Sequence, residues 1–401
     1  MRTLNFLYLI GLTLIITSCS KNDLVKPDSE STVHFVRFEG SEQVNRSYIL
    51  SSGNIAHVGM VNDDAFIMVV TAVGEVKWYK TFGGTKTDYF RDVTEMPNGD
   101  IVAVGVSYSK SEYGESQGYV VRMTSNGAGL WEKTYTFGND SRLYCGVSTS
   151  DGQLILGGVV APSDADTWVL KLTGSGEIVW NRKYPNGPWH DFAVSAIIDV
   201  DGNAVFSGPT SPDNTSINNR KFNTFIMKVH VGIGSRMWVN QNNEFPRVRF
   251  ERDEQISPYP ILAINNGLLW ATDRKDADYN YHTLIVRTDA NGNALASDTF
   301  YGLGNFRISS LQKIDDSIYL LGKSWRKDNY GFKGLAYIMK LNNDYEIEWS
   351  HTLGSETQSQ TALKMVIENN TILVNGIVSD DEEKSSFVFY ELSLDGQLIL
   401  E

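Results

Sequence analysis

Asp166-Thr-Trp-Val-Leu-Lys-Leu-Thr-Gly-Ser-Gly-Glu-Ile-Val-Trp-Asn-Arg-Lys-Tyr184 reads as a β-hairpin. Apolar and polar side chains alternate through Trp168-Val169-Leu170-Lys171-Leu172. That is the period of a pleated strand, whose successive side chains point to opposite faces. Gly174 and Gly176 supply a turn, and a second run closes on the aromatic Tyr184.

Copies of this unit return at intervals of about fifty residues. Aligned on the turn glycine and the tryptophan four residues later, they are Gly74/Trp78, Gly127/Trp131, Gly176/Trp180, Gly234/Trp238, Gly292/Ala296, Tyr345/Trp349 and Gly396/Leu400. An independent register agrees. A glycine ends the core of another strand at Gly59, Gly105, Gly158, Gly208, Gly322 and Gly376, with Thr272 in the remaining place. The second unit resolves best into four strands, at residues 89–96, 101–108, 119–123 and 130–137, with Asn-Gly turns at 98–99 and 126–127. Asp151-Gly152, Asp201-Gly202 and Asp395-Gly396 supply further tight turns, because Asp, Asn and Gly tolerate positive φ. Residues 199–203 share the opening of a calcium loop but lack its closing acid, so they too read as a turn between strands. The predicted fold is all-β, a seven-bladed β-propeller of four-stranded blades forming one domain over residues 33–401.

A ring of blades must close. The last unit stops at residues 397–401, short of its aromatic ending, while His34-Phe-Val-Arg-Phe38 stands unclaimed at the other end. Aligning Phe38 with Phe82 makes residues 33–38 the missing part of the last outer strand, so that N- and C-terminal strands pair and strand edges are removed. The alternative is an additional edge strand. On the tryptophans, a fixed repeat position predicts packing of blade on blade in place of a sugar or cofactor platform.

Ahead of the repeats, Met1-Arg2 precedes an apolar run at residues 4–16, too short to span a bilayer comfortably, which ends in Ile16-Thr17-Ser18-Cys19. This resembles a bacterial lipoprotein signal. The resemblance implies removal of residues 1–18, acylation of Cys19 by palmitate-like chains and attachment to a membrane through them. Residues 19–32, with Pro27 and several Ser, Asp and Glu, read as a flexible tether. Ser20-Lys21-Asn22-Asp23 resembles the surface-export tags of Bacteroidetes lipoproteins, with Asn22 where such tags usually carry an acid. The expected address is the bacterial outer membrane, with both a periplasmic and a cell-surface orientation open.

The formal charge of −13 grows more negative when Arg2 leaves with the leader. An acidic surface repels phosphate backbones, so nucleic acid is not an expected partner, and attachment to anionic lipid is not expected from a basic face.

The Gly-x-Ile/Val-x-Trp pattern of the units resembles quinoprotein-like and SBBP-like propeller repeats, and the whole resembles seven-bladed propeller lipoproteins of Bacteroidetes. Quinone-dependent dehydrogenases of that superfamily carry eight blades, adjacent cysteines and a calcium. Seven units and two separated cysteines, Cys19 and Cys145, do not match, and no cofactor is expected. Cys145, in the apolar run at residues 143–147, reads as buried and inert; a cysteine hydrolase would need a partner histidine beside it. The six histidines lack metal-ligand spacing, so no metal is expected.

In a propeller, the loops between second and third strands and those between blades emerge on one face. Here they are long, at residues 107–118, 210–223, 273–282, 324–335 and 379–386, joined by the blade connections 185–191 and 243–253, whereas the hairpin turns of the other face are short. Aromatics mark the long loops: Tyr108, Tyr113, Trp189, Tyr279, Tyr281, Trp325, Tyr330 and Phe332. Variable loops on a rigid scaffold are where function concentrates. The candidate ligand contacts are Trp189, Tyr279, Tyr281 and Trp325, with Arg46, Arg142, Asp191, Asp253 and Arg307 as polar groups at the funnel entrance. The leading reading is a binding or scaffold module for a protein or glycan, with no assigned catalytic residue. The alternative is an extracellular carbohydrate-active enzyme using carboxylates such as Asp88, Asp140, Asp191, Asp253 and Glu254, and a redox quinoprotein comes last.

Overall fold

The computed structural model describes residues 24–25, 36–38, 42–72, 74–160, 165–185, 190–211, 223–242, 259–275, 281–300, 305–328, 331–354, 359–368, 370–379 and 385–399. They form seven antiparallel sheets and no helix. The first blade runs Glu42–Ile49, Ile55–Val61, Asp64–Val70 and Val76–Phe82. The second runs Asp88–Glu95, Ile101–Ser107, Gln117–Met123 and Gly129–Tyr135. The inner strands that follow are Ser141–Ser148, Ser195–Ile198, Ile261–Ile264, Asn305–Ile314 and Ser359–Glu368. Each packs on the next and the last returns to the first, which closes a seven-bladed propeller around an axial channel.

The core lies between blades. Second strands such as Ile101–Ser107 and Leu154–Val160 are buried at every position, and outer strands such as Val76–Phe82 are largely exposed. Phe90 and Tyr119 of the second blade stack with ring centroids 5.3 Å apart, in one cluster with Ile67 and Val69 of the first. Interfaces of this kind bury both partners' apolar faces, at about 25 cal/mol per Å².

Both sequence markers acquire a cause. The inner strands of blades one, two, three, six and seven carry a β-bulge, between Val44 and Arg46, Phe90 and Asp92, Leu143 and Cys145, Ile308 and Ser310, and Ala362 and Lys364. The second-strand glycine stands opposite. A Cβ on Gly59, Gly105 or Gly158 would collide with the carbonyl oxygen of Gln43, Tyr89 or Arg142, which the bulge pushes toward it. Thr272, the departure from this marker, places its hydroxyl 2.9 Å from that of Thr224 in the preceding blade.

The turn glycine and the tryptophan are two halves of one contact, made between blades. Trp78 Nε1 donates to Ser125 O at 3.0 Å, Trp131 Nε1 to Gly174 O at 3.0 Å, Trp180 Nε1 to Val231 O at 3.1 Å and Trp349 Nε1 to Leu394 O at 3.2 Å. Each acceptor lies in the outer turn of the next blade. A Cβ on Gly127 would sit 2.8 Å from the Trp78 ring, so the indole needs a bare backbone to rest on. A basic side chain often joins it: Lys171 Nζ donates to the same Val231 carbonyl at 3.1 Å, and Arg122 to that of Gly174. The one described mismatch is reciprocal. Blade five has Ala296 in place of tryptophan, and blade six has Tyr345, at φ 66°, in place of the glycine. The Arg287 guanidinium lies 5.2 Å from the Tyr345 ring centroid, so tyrosine reaches back where an indole would have reached forward.

The ring closes through the ends. Val36–Phe38 pairs antiparallel with Ser385–Ser393, Val36 opposite Phe387 and Arg37 opposite Ser386. Further along the same edge, Leu398 bridges Leu392 and the Ile399 N–H donates to Glu391 O at 2.9 Å. The last blade's outer strand is therefore composite, as pairing of the two ends predicts, but in a register two residues from the expected one: Val36, opposite Phe387, holds the place that Phe82, opposite Ala65, holds in the first blade, and Phe38 does not. Leu24–Val25, inside the segment read as a tether, adds a short strand outside it. Between this blade and the first, Asn375 Nδ2 donates to Ser47 Oγ at 3.2 Å, and Ser47 Oγ lies 2.8 Å from His57 Nδ1. Burial holds His57 neutral, with its pKa lowered to about 3.

Candidate functional site

The blade connections and the loops between second and third strands share one face, held together by recurring hydrogen bonds. Asp88 N donates to Asp63 O at 2.7 Å, Ser141 N to Ser116 O at 2.9 Å and Asp191 N to Ala165 O at 2.8 Å. Ser109 Oγ both accepts from Lys86 N and donates to Lys86 O, each at 2.9 Å. This is the long-loop face of the sequence analysis, except that the expected loop at residues 324–335 is mostly strand: Ser317–Asp328 and Gly331–Leu341 pair through it, with Trp325 opposite Gly334.

On it, a cavity of about 420 Å³ opens between the first and second blades. Its channel side is built by Gln43 and Asn45 of one inner strand and Tyr89 and Arg91 of the next; Met60, Tyr108, Lys86 and Thr87 form the outer wall. Asn45 and Arg91 are the bulged residues of their strands, so the bulge that demands Gly59 and Gly105 also delivers these two side chains to the cavity. Asn45 is fixed by its Nδ2 donating to Phe90 O at 2.7 Å. The Arg91 guanidinium lies 4.9 Å from the centroid of Tyr89 and 5.9 Å from that of Tyr144, a cation held between π faces. Burial raises the Tyr89 pKa, against the attraction of Arg91 and Arg142, and keeps the phenol a neutral donor. Two amides, two cations, two phenols, a hydroxyl and the Met60 side chain can orient a small polar ligand.

Beneath the bulges lies one layer of side chains around the channel. The residue following each bulge is Arg46, Asp92, Cys145, Ser310 or Lys364, and Ser195 holds the matching register in blade four. Arg46 crosses the channel: its Nη2 donates to Val194 O at 3.1 Å and lies 3.5 Å from Ser195 Oγ, while its Nε sits 3.2 Å from Asp92 Oδ1. Asp92 also accepts from Gly146 N and Val93 N, each at 3.0 Å. Burial raises its pKa; Arg46 and these amides oppose the shift. Burial, then repulsion from Arg46, lowers the Lys364 pKa to about 8, with Asp92 opposing. Cys145 is fully buried, its thiol pKa pushed up by burial and then by Asp92.

Of the residues singled out from the sequence, Arg46 lies within the channel and not at its mouth. Arg142 donates from Nε to Ser116 Oγ at 3.1 Å, bracing a loop. Asp191 is buried at the start of its blade. Tyr281, Trp325 and Arg307 stand on described strands whose backbone alone is placed, and Cys19, Trp189, Tyr279, Asp253 and Glu254 lie outside the described residues. Among the carboxylates of the enzymatic alternative, Asp88 is fully buried and accepts from Ser107 Oγ, and Asp140 accepts from Ser116 N at 3.2 Å. Neither lines the cavity. Sequence reasoning missed Tyr89, Arg91, Asp92 and Lys364; for the three charged residues the available signal was a place two or three residues after the carbonyl that the repeating register sets against a second-strand glycine. Among the described residues no group of three metal-ligating side chains converges, and no helix is long and apolar enough to cross a membrane.

No family model matches the chain, and no curated protein matches it. Solved structures do. The β-propeller domain of the Trilobed protease from Pyrococcus furiosus aligns with a TM-score of 0.48 at 10% identity, over 90% of this chain and 98% of that one. The acylaminoacyl peptidase of Pyrococcus horikoshii aligns with a TM-score of 0.48 at 9% identity, over 88% of this chain and 52% of that one. Plexin A of Drosophila, in complex with Semaphorin 1b, gives 0.41 at 11% identity, over 87% of each. At these identities the likeness extends to the fold and to nothing beyond it.

Proposed function

We propose that the chain is a lipid-anchored propeller of the bacterial cell envelope, of the Bacteroidetes outer-membrane type, which binds a glycan or protein ligand through its long-loop face. The observation that carries the binding reading is the cavity between blades one and two, where Arg91 and Asn45 are aimed inward by paired bulges and flanked by Tyr89 and Tyr108. Anchoring rests on the Ile16 to Cys19 pattern. A rigid ring that holds a small polar cavity at the end of a tether suits capture of an extracellular ligand.

A glycan array and an envelope-protein pull-down identify the ligand, with parallel hydrolysis assays to detect turnover. Tyr108→Ala is expected to weaken binding about thirtyfold, or roughly 2 kcal/mol, while Asn98→Ala and Asp151→Ala on the short-turn face leave it unchanged. The reverse pattern overturns the choice of face. Cys19→Ala is expected to abolish incorporation of labelled fatty acid; undiminished labelling overturns the anchor.

A further inference from the structure

The channel layer below the cavity is unbalanced in a way that the binding reading does not use. Going round the ring, blades six, seven, one and two contribute Ser310, Lys364, Arg46 and Asp92 at one level. Asp92 is committed to Arg46 and to two backbone N–H groups, and Arg46 is committed to Asp92 and to blade four. Among the described residues Lys364 has no hydrogen bond or ion pair, and the charges that act on it there are Arg46, which repels it, and Asp92, which Arg46 already holds. At the equivalent register of the neighbouring blade six, Ser310 is 2% exposed and its hydroxyl has no hydrogen-bond partner among the described residues.

Two cations and one carboxylate leave an excess positive charge in a layer whose side chains are largely withdrawn from water, Arg46 and Asp92 being 20% and 12% exposed, where an uncompensated ion is costly. A water molecule would satisfy Ser310 Oγ but leave the charge standing. A small anion does both: it accepts from the hydroxyl and neutralises the ammonium. We propose that the axial channel holds a halide-sized monovalent anion between Lys364 and Ser310, with Arg46 on its far side. The site is independent of the ligand cavity. It makes the anion a structural part of the ring, since it stabilises the seam between blades six, seven and one.

Bromide tests this. Crystals of the full chain grown in sodium bromide are expected to show an anomalous peak within about 3.5 Å of Lys364 Nζ and Ser310 Oγ. The unfolding midpoint should rise when chloride replaces gluconate at constant ionic strength, and that rise should vanish in Lys364→Met and shrink in Ser310→Ala. A channel that shows only ordered water in bromide, or a chloride response that persists unchanged in Lys364→Met, overturns the site.

Discussion

At the scale of single residues, the glycines of the second strands carry more of the architecture than their lack of chemistry suggests. Gly158 faces the Arg142 carbonyl so closely that a methyl group cannot be added without moving the inner strand. Gly129, at the start of an outer strand, has open space around it. Gly158→Ala is therefore expected to cost about 2 to 4 kcal/mol in denaturant unfolding, and Gly129→Ala to stay within about 0.5 kcal/mol. His57 sets an acid limit by a different route. Its pKa falls from the ordinary value of 6.5 to about 3 on burial, so the unfolded chain binds the extra proton between those values. Stability is complete above pH 6.5 and is lost as the pH falls below it, by up to about 1.4 kcal/mol per unit from this group. His57→Gln should flatten the difference between unfolding curves at pH 7 and pH 5 by roughly 2 kcal/mol; an unchanged difference would assign the acid sensitivity to other groups.

At the scale of elements, the unit of cohesion is the contact between one blade's outer strand and the next blade's turn. The exchange at blades five and six makes this testable by a double-mutant cycle. Ala296→Trp alone should destabilise, because Tyr345 occupies the seat an indole would take, and Tyr345→Gly alone should leave a gap beneath Arg287. Together they restore the arrangement of the other blades, and the coupling is expected to be favourable by about 1 to 3 kcal/mol. Additive effects would show that the two positions do not meet. The repeat was legible because both partners of this contact recur at fixed spacing, Trp131 and Gly176 no less than Trp78 and Gly127. The bulges were legible only by their shadow, the glycines opposite.

At the scale of the whole molecule, closure was readable from what the ends lacked. Residues 397–401 were a strand without its aromatic, and residues 34–38 an aromatic run without its strand. The axial site was not readable in this way. Arg46, Asp92, Ser310 and Lys364 come from four blades, and only the ring places them at one level; along the chain nothing sets them apart from the other polar residues of their strands, such as Asn45, Arg91, Ser309 and Gln360. The cavity was half legible: Tyr108 stood out as a loop aromatic, whereas Tyr89 and Arg91 lay unremarked within a strand, and only the bulge shows where the Arg91 side chain goes. Removing residues 33–38 from the full chain is expected to lower the melting temperature and promote association by exposing the edge of Ser385–Ser393. Unchanged melting and a monomeric elution volume would show that the composite strand contributes nothing to closure.

The composite strand also decides how the molecule bears load. Tension applied at the N-terminus reaches the ring through Val36–Phe38, whose pairing with the last blade rests on the two registered pairs Val36↔Phe387 and Arg37↔Ser386. Each of the other blades is sewn in by three or more full-length strands. In a force-extension measurement with handles at residue 36 and on the long-loop face, the first event should be the release of this seam at low force, and the second the rupture of the remaining blades at much higher force. The ring thus contains a mechanical fuse at the edge where its first and last strands meet.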